Sequence, residues 1–361
     1  MLFHFFTSLI EQYTFFNVFK YLTFRTGLSV MTSLILVFII GGPLIKIFSE
    51  KMIAGPIRQD GPIDHIIKKS GTPTMGGVII IIGIISSTLL WADLRNIYVW
   101  TLIFVSLSLG GLGLLDDILK IKYENSRGLK SKYKFLGQFI IGVITLFILI
   151  EFSEHEYLFN LYFPFFKNLI WSMDLFFIPF GLFVIIGASN AVNLTDGLDG
   201  LATVPVMLVA LSFTLISYVV GNTIFSEYLQ IQYIPDVGEL SIFCGSVVGA
   251  CLGFLWYNAP PAKIFMGDTG SLSLGGSLAA IAIIVKHEIV LSIIGGLFVL
   301  ETVSVIIQVI SFKLTGKRIF KMAPIHHHFE KKGWAESTIV IRFWIIAIIL
   351  ALIGLATLKL R

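Results

Sequence analysis

Long apolar stretches broken by short polar ones dominate the chain. A bilayer core about 30 Å thick takes roughly 20 residues of helix, and runs of that order recur at 29–45, 75–91, 98–115, 135–152, 170–188, 201–220, 240–257, 272–285, 289–310 and 339–358. Backbone groups in hydrocarbon must be satisfied within their own segment, which makes each run a helix, and no two-residue alternation argues for a barrel. The eighth run is the shortest, about fourteen residues between Ser271 and Lys286. Were it not to cross, every later loop would change sides. With no internal repeat and no low-complexity linker, the pattern predicts an all-α integral membrane protein of about ten transmembrane helices, one polytopic domain over 1–361.

Composition strengthens this reading. The chain is 56% hydrophobic and 13% charged, with a mean hydropathy of +0.90, where soluble domains carry about 25% charge. A water-soluble fold could not cover that much apolar surface. Cys244 and Cys251 lie seven residues apart in one run, about 10 Å along a helix and too far to bridge, so they read as packing residues. The start of the chain lacks the basic stretch of a signal peptide. The net charge of +4 matters through its placement. Loops 46–74, 116–134, 189–200, 258–271 and 312–338 hold 18 of the 26 lysines and arginines, against 7 on the other side with the termini. The positive-inside bias puts those loops in the cytoplasm and both termini in the periplasm.

The chemistry-bearing residues gather on that cytoplasmic side. Asp116 and Asp117 close the third run; adjacent carboxylates at a bilayer border repel unless a divalent cation or a proton-transfer role relieves them. Asn190, Asn193, Asp196 and Asp199 run through NAVNLTDGLDG, with Gly197 and Gly200 allowing close backbone approach. Asp268 sits among glycines and hydroxyls in KIFMGDTGS, a setting for oxygen-ligated Mg²⁺, and Phe265 three residues earlier suits stacking or an interfacial anchor. His326, His327 and His328 point in different directions and lack the ligand spacing of a structural zinc site, so they suit a phosphate-rich ligand better. This inventory contains no serine or cysteine nucleophile arrangement. Carboxylates, lysines, amides and histidines suit phosphoryl transfer, in which positioning and charge neutralisation do most of the catalysis. A site at the lipid boundary implies one soluble anionic substrate and one embedded in the membrane.

The segments KKSGTPTMGG, GLLDDILK, NAVNLTDGLDGLA, NAPPAKIFMGDTGS and MAPIHHHFEKKGW together resemble the phospho-N-acetylmuramoyl-pentapeptide transferases. The likeness runs from the first cytoplasmic loop to the C-terminus. It implies ten transmembrane helices, a cytoplasmic active site, Mg²⁺, and transfer of phospho-MurNAc-pentapeptide from UDP-MurNAc-pentapeptide to undecaprenyl phosphate with release of UMP. It further implies Asp268 as the Mg²⁺ ligand and Asp117, beside Asp116, as the base toward the lipid phosphate. Asn193, Asp196 and Phe265 are implied to contact the nucleotide and the histidine run to bind substrate, with Lys69, Thr74, Lys120 and Lys134 as further polar site positions. Lys132 lies close to Lys134 and competes for that assignment. Sister enzymes that transfer N-acetylglucosamine phosphate share the acidic motifs but lack the HHHFE run. The resemblance points to a bacterial inner-membrane enzyme with lipid and no nucleic acid as partner, and leaves a homodimer open. From another class, an ion-coupled transporter draws on Glu301 mid-span with Gln308 on the same face. Transporters place such groups at the midplane between repeats, and here Glu301 reads chiefly as an interhelical hydrogen-bonding residue.

Overall fold

The computed structural model describes residues 1–51, 71–123, 128–153, 155–166 and 169–359. The membrane-length runs become helices α1 (Leu22–Glu50), α2 (Gly77–Trp91), α3 (Ile97–Lys122), α4 (Ser131–Phe152), α5 (Phe177–Thr195), α6 (Thr203–Val220), α7 (Leu240–Asn258) and α8 (Gly267–Ile284). They are followed by α9 (Glu288–Ile294), α10 (Gly296–Thr315), the short α11 (Ile325–Glu330) and α12 (Glu336–Ala356). Among the described residues nine helical segments are long and apolar enough to cross a membrane, and the fifteen-residue α2 is a shorter apolar helix. The chain is a multi-pass membrane protein.

Four boundaries differ from the sequence pattern, and each difference bears on the site. The third run does not stop before its aspartates: α3 continues to Lys122, so Lys120 lies one turn beyond both Asp116 (i, i+4) and Asp117 (i, i+3). The fifth helix lies further along than 170–188. Ile170–Ser172 forms strand β2, antiparallel to β1 (Asn160–Tyr162), with Leu161 opposite Trp171. Aromatic and β-branched residues around a Pro-containing turn favour that hairpin over helix. The helix then starts at Phe177 and runs to Thr195, which makes Asn190 and Asn193 helical. The eighth run gains a turn and becomes an eighteen-residue helix starting at Gly267. The ninth is broken between α9 and α10 at Gly295 and Gly296, where two residues of low helix propensity meet.

Helix α8 is the centre of the bundle. In its apolar window 89% of the residues are buried, against 22% for α1 and α10, whose outward faces are apolar. It packs on α2, α3, α5 and α6. Small residues allow this, as is usual where helices meet in lipid. A Cβ on Gly77 of α2 would overlap the Gly270 backbone and lie 2.8 Å from the Thr269 carbonyl carbon. One on Gly113 of α3 would overlap the Asp268 carbonyl oxygen and come within 2.6 Å of Thr269 N. Serines bond across the same seams: Ser273 Oγ donates to the Ser106 carbonyl (2.8 Å), and Ser189 Oγ to that of Leu272 (3.1 Å). The first turn of α8, which carries Asp268, is therefore wedged against its neighbours. Cys244 and Cys251 are buried free thiols in α7.

Candidate active site

Asp117 reaches from the end of α3 to the start of α8. Its Oδ1 accepts from Asp268 N (3.2 Å), and its Oδ2 from Thr269 N (3.0 Å) and Thr269 Oγ1 (2.7 Å). It thus satisfies backbone donors that the first turn of any helix leaves open, with negative charge at the positive end of the α8 dipole. Gly267, just before, is in the left-handed region (φ +73°), and a Cβ there would sit 2.7 Å from Asp117 Oδ2. Only glycine fits that turn.

Asp116, one residue earlier, faces the loop that follows its own helix. Its Oδ1 accepts from Leu129 N (2.8 Å), and Gly128 adopts φ +55° to let the loop pass. That contact seats the start of α4 and brings Lys134 inward: its Nζ bonds Asp268 Oδ2 and lies 3.9 Å from Asp116 Oδ2. Lys132 is exposed, so of the two neighbouring lysines it is Lys134 that enters the site. Lys120 Nζ sits among all three acids, 2.6 Å from Asp116 Oδ2, 3.0 Å from Asp268 Oδ2 and 3.7 Å from Asp117 Oδ1.

Helix α5 contributes the amide. Asn193 Nδ2 donates to Asp268 Oδ1 (2.8 Å) and Ser271 Oγ (2.8 Å). At the C-terminus of α5, Asp196 lies close to Gly267 and its backbone N–H, and its pKa is pushed up to about 7 by burial, then by the charges of Asp268 and Asp117. Asp116, Asp117, Lys120, Lys134, Asn193, Asp196 and Asp268 therefore form one cluster. Thr74 borders it, its Oγ1 within 3.0 Å of a Cβ built on Gly267. Lys69 lies outside the described residues.

The other expected site residues hold the frame. Asn190 donates to Gln138 Oε1 (3.0 Å) and to the Ile186 carbonyl (2.8 Å). The Asp199 carboxylate accepts from Ala262 N (2.9 Å), and its own N–H donates to Glu336 Oε1 (3.0 Å), joining the loops after α5 and α7 to α12. Phe265 is half-buried, and its backbone pairs with the loop before α2: its N–H donates to the Pro73 carbonyl (2.9 Å), and its own carbonyl accepts from Gly76 N (2.8 Å). The three histidines take three directions. His326 is fully buried and lies 3.1 Å from Glu301 Oε1. His327 Nδ1 meets Glu330 Oε2 at 2.6 Å. His328 Nδ1 accepts from Lys321 N (3.0 Å), and burial, then Lys332 and Lys321, lower its pKa.

Sequence reasoning passed over Asn258, Thr269 and Gln138. Asn258 Oδ1 accepts from Gly200 N (3.1 Å) and Thr203 Oγ1 (2.8 Å), while its Nδ2 donates to the Ile264 carbonyl (3.0 Å), so one amide ties the Asp196 loop to the Asp268 loop. A single amide at the end or in the middle of an apolar run, as in WYNAPP and LGQFII, was the available signal. The structure gives Glu301 and Gln308 separate partners, that of Glu301 on another helix as expected. Glu301 faces His326 on α11, and Gln308 clamps the returning loop, accepting from Ile319 N (3.0 Å) and Phe320 N (2.9 Å).

Asp116, Asp117 and Asp268 each offer an oxygen within 4.8 Å of the others. Three hard oxygen donors at the border of the bundle suit a divalent cation of the Mg²⁺ type, with Lys120 and Lys134 standing among them as countercharges. The donor set fits the metal expected from the sequence.

Residues 99–286, just over half of the chain, match the family model for glycosyl transferase family 4, so the bundle is that of a membrane-embedded glycosyl transferase. Residues 69–81 match phospho-N-acetylmuramoyl-pentapeptide-transferase signature 1. The phospho-N-acetylmuramoyl-pentapeptide-transferase of Pelagibacter ubique (strain HTCC1062) is 67% identical over 361 residues, covering 100% of both chains. The chain belongs to the phospho-N-acetylmuramoyl-pentapeptide-transferase family.

Proposed function

We propose that the protein transfers phospho-MurNAc-pentapeptide from UDP-MurNAc-pentapeptide to undecaprenyl phosphate in the bacterial inner membrane, giving lipid I and UMP for cell-wall synthesis. The observation that carries this reading is the cluster of three acids and two lysines gathered at one end of the bundle by the first turn of α8. The positive-inside bias supports a cytoplasmic position for that end, with both termini periplasmic.

In this reading a phosphate oxygen of the lipid attacks the β-phosphorus of the nucleotide sugar. The new P–O–P bond forms as the bond from that phosphorus to the bridging oxygen breaks, and UMP departs with the electron pair. A phosphate monoester has a second pKa near 6 and is largely ionised at neutral pH, so the attack needs little help from a base. Asp268, with Asp116 and Asp117 close by, would hold Mg²⁺, which when bound supplies charge neutralisation to the pyrophosphate. Lys120 and Lys134, released from their carboxylate partners, meet the phosphate oxygens. Asp116 stands beside the lipid phosphate. Asp117, held by three donors, acts mainly by fixing Asp268, and any proton it takes from the lipid phosphate is a secondary contribution. Asn193, Asp196 and Phe265 receive the nucleotide; Lys69, Thr74, His327 and His328 complete substrate binding, and Asn190 and Asp199 support the frame.

The test is UMP release by purified protein given Mg²⁺, undecaprenyl phosphate and either UDP-MurNAc-pentapeptide or UDP-GlcNAc. Release with the muramoyl donor alone is expected. Release with UDP-GlcNAc alone would reassign the protein to the sister reaction, and release with neither donor would overturn the transferase reading.

A further inference from the structure

Glu301 is a fully buried acid on α10, outside the cluster of aspartates, and an unpaired charge there would be costly. It faces His326 Nδ1 on α11, 3.1 Å from Oε1. Among the described residues neither ring nitrogen of His326 and neither oxygen of Glu301 has a conventional hydrogen bond. The opposite edge of the imidazole presses on the turn that ends α5. A Cβ on Gly197 would overlap His326 Nε2 and lie 2.9 Å from its Cε1. The ring therefore occupies the space that any side chain at position 197 would need. Asp196 is the residue before, and the Gly197 N–H folds back to the Thr195 carbonyl at 2.8 Å.

We propose that His326, oriented by Glu301, is a positioning residue that sets the Asp196–Gly197 turn and thereby the affinity for the nucleotide sugar. His326 has no exposed surface, whereas His327 and His328 are half-buried. The first histidine of the run thus acts through the turn, and the other two are left to touch substrate. A buried acid–histidine pair adds little net stability over a hydrophobic pair, and the best-attested use of such buried polar groups is to fix register. Here the register fixed is that of the last loop, through α11, against α5. The inference rests on the proposed role of Asp196 in receiving the nucleotide.

The experiment uses the full chain in lipid nanodiscs, with KM measured for each substrate while the other is saturating, and thermal melting to verify folding. Gly197→Ala is expected to raise KM for UDP-MurNAc-pentapeptide at least tenfold and to leave KM for the lipid phosphate within about twofold. Adding His326→Ala empties the space the new methyl needs, so the double variant is expected to bind the nucleotide sugar better than Gly197→Ala alone. Losses that multiply in the double variant would mark His326 as a direct substrate contact and overturn the proposal. Glu301→Gln keeps an oxygen toward Nδ1 and is expected to stay within about threefold of the parent, while Glu301→Leu reproduces His326→Ala. Equal behaviour of the two Glu301 variants would likewise overturn it. Asp196→Asn separates the two readings. An unchanged nucleotide-sugar KM in that variant sinks the role of Asp196 itself. A raised KM without rescue in the double variant sinks the positioning role alone.

Discussion

Asp117→Asn separates anchoring from proton transfer, because it alters charge and donor pattern with almost no change of shape. The parent carboxylate accepts three hydrogen bonds from the first turn of α8, at 3.2, 3.0 and 2.7 Å. An asparagine keeps one oxygen. If that oxygen holds the Thr269 pair, the amide NH₂ faces Asp268 N–H, donor against donor. Leaving a buried N–H unsatisfied costs about 1–3 kcal/mol. Losing the negative charge at a partly buried helix N-terminus adds about 0.3–2 kcal/mol. The expected destabilisation is about 1–5 kcal/mol. Lys120 keeps Asp116 and Asp268 as partners and adds little to that figure. Unfolding in mixed micelles of detergent and SDS, followed by tryptophan fluorescence, reads the difference. Thr269→Val closes a double-mutant cycle, and a coupling of about 0.5–1.5 kcal/mol is expected, because the hydroxyl's charge-assisted bond becomes a neutral one of roughly half its strength. A stability within about 0.5 kcal/mol of the parent, with additive single variants and abolished turnover, would refute the anchoring role and make Asp117 a base.

The remaining expectations are simpler to check. Asp268→Asn should abolish UMP release at any Mg²⁺ concentration, and chelation by EDTA should abolish it reversibly in the parent; near-normal turnover in either case removes the metal role. Lys134→Met should lower kcat/KM at least tenfold while Lys132→Met stays within twofold, since only the first reaches Asp268. Gly113→Ala pushes a methyl into the Asp268 backbone and should lower stability by about 1–3 kcal/mol in the same unfolding assay. Gly27→Ala, where nothing lies within 4 Å of the added carbon, serves as the clash-free control and should not lower stability.

The membrane class and nearly every helix were legible because hydrocarbon imposes a rule that acts on the sequence directly: an apolar run near 20 residues long has no stable alternative to helix. The rule says nothing about where a helix stops once it leaves the lipid. That is why the pattern ended the third and fifth helices before their polar residues, whereas α3 carries Asp116, Asp117 and Lys120 and α5 carries Asn190 and Asn193. Hydropathy penalises those residues for being polar, and the fold keeps them helical because neighbouring segments give each a partner: α8 for Asp117, Lys120 and Asn193, the loop after α3 for Asp116, and α4 for Asn190. The same limit explains the mixed outcome at the site. Motifs such as GLLDDILK and MGDTGS announced the acids, since charges beside glycines at a membrane border have few bland uses. Which of them would meet was not written in any local pattern. Asp117 joins Asp268 only because Gly77 and Gly113 let α8 approach two helices at once, and Lys134 enters only because the loop after α3 folds onto Asp116. Asp199 and Asn190 carry the same side-chain chemistry as their neighbours in one motif, yet they bond Ala262 and Gln138 instead of the cluster. A motif in this chain therefore marks residues that fold together, and its members divide between a central layer around Asp268 and a frame that keeps that layer aligned. If so, substitutions in the frame, at Asn258 or Gln138, should lower turnover and thermal stability together, whereas Lys134→Met should lower turnover at an unchanged melting temperature. A frame variant that loses activity with full stability would place that residue in the central layer after all.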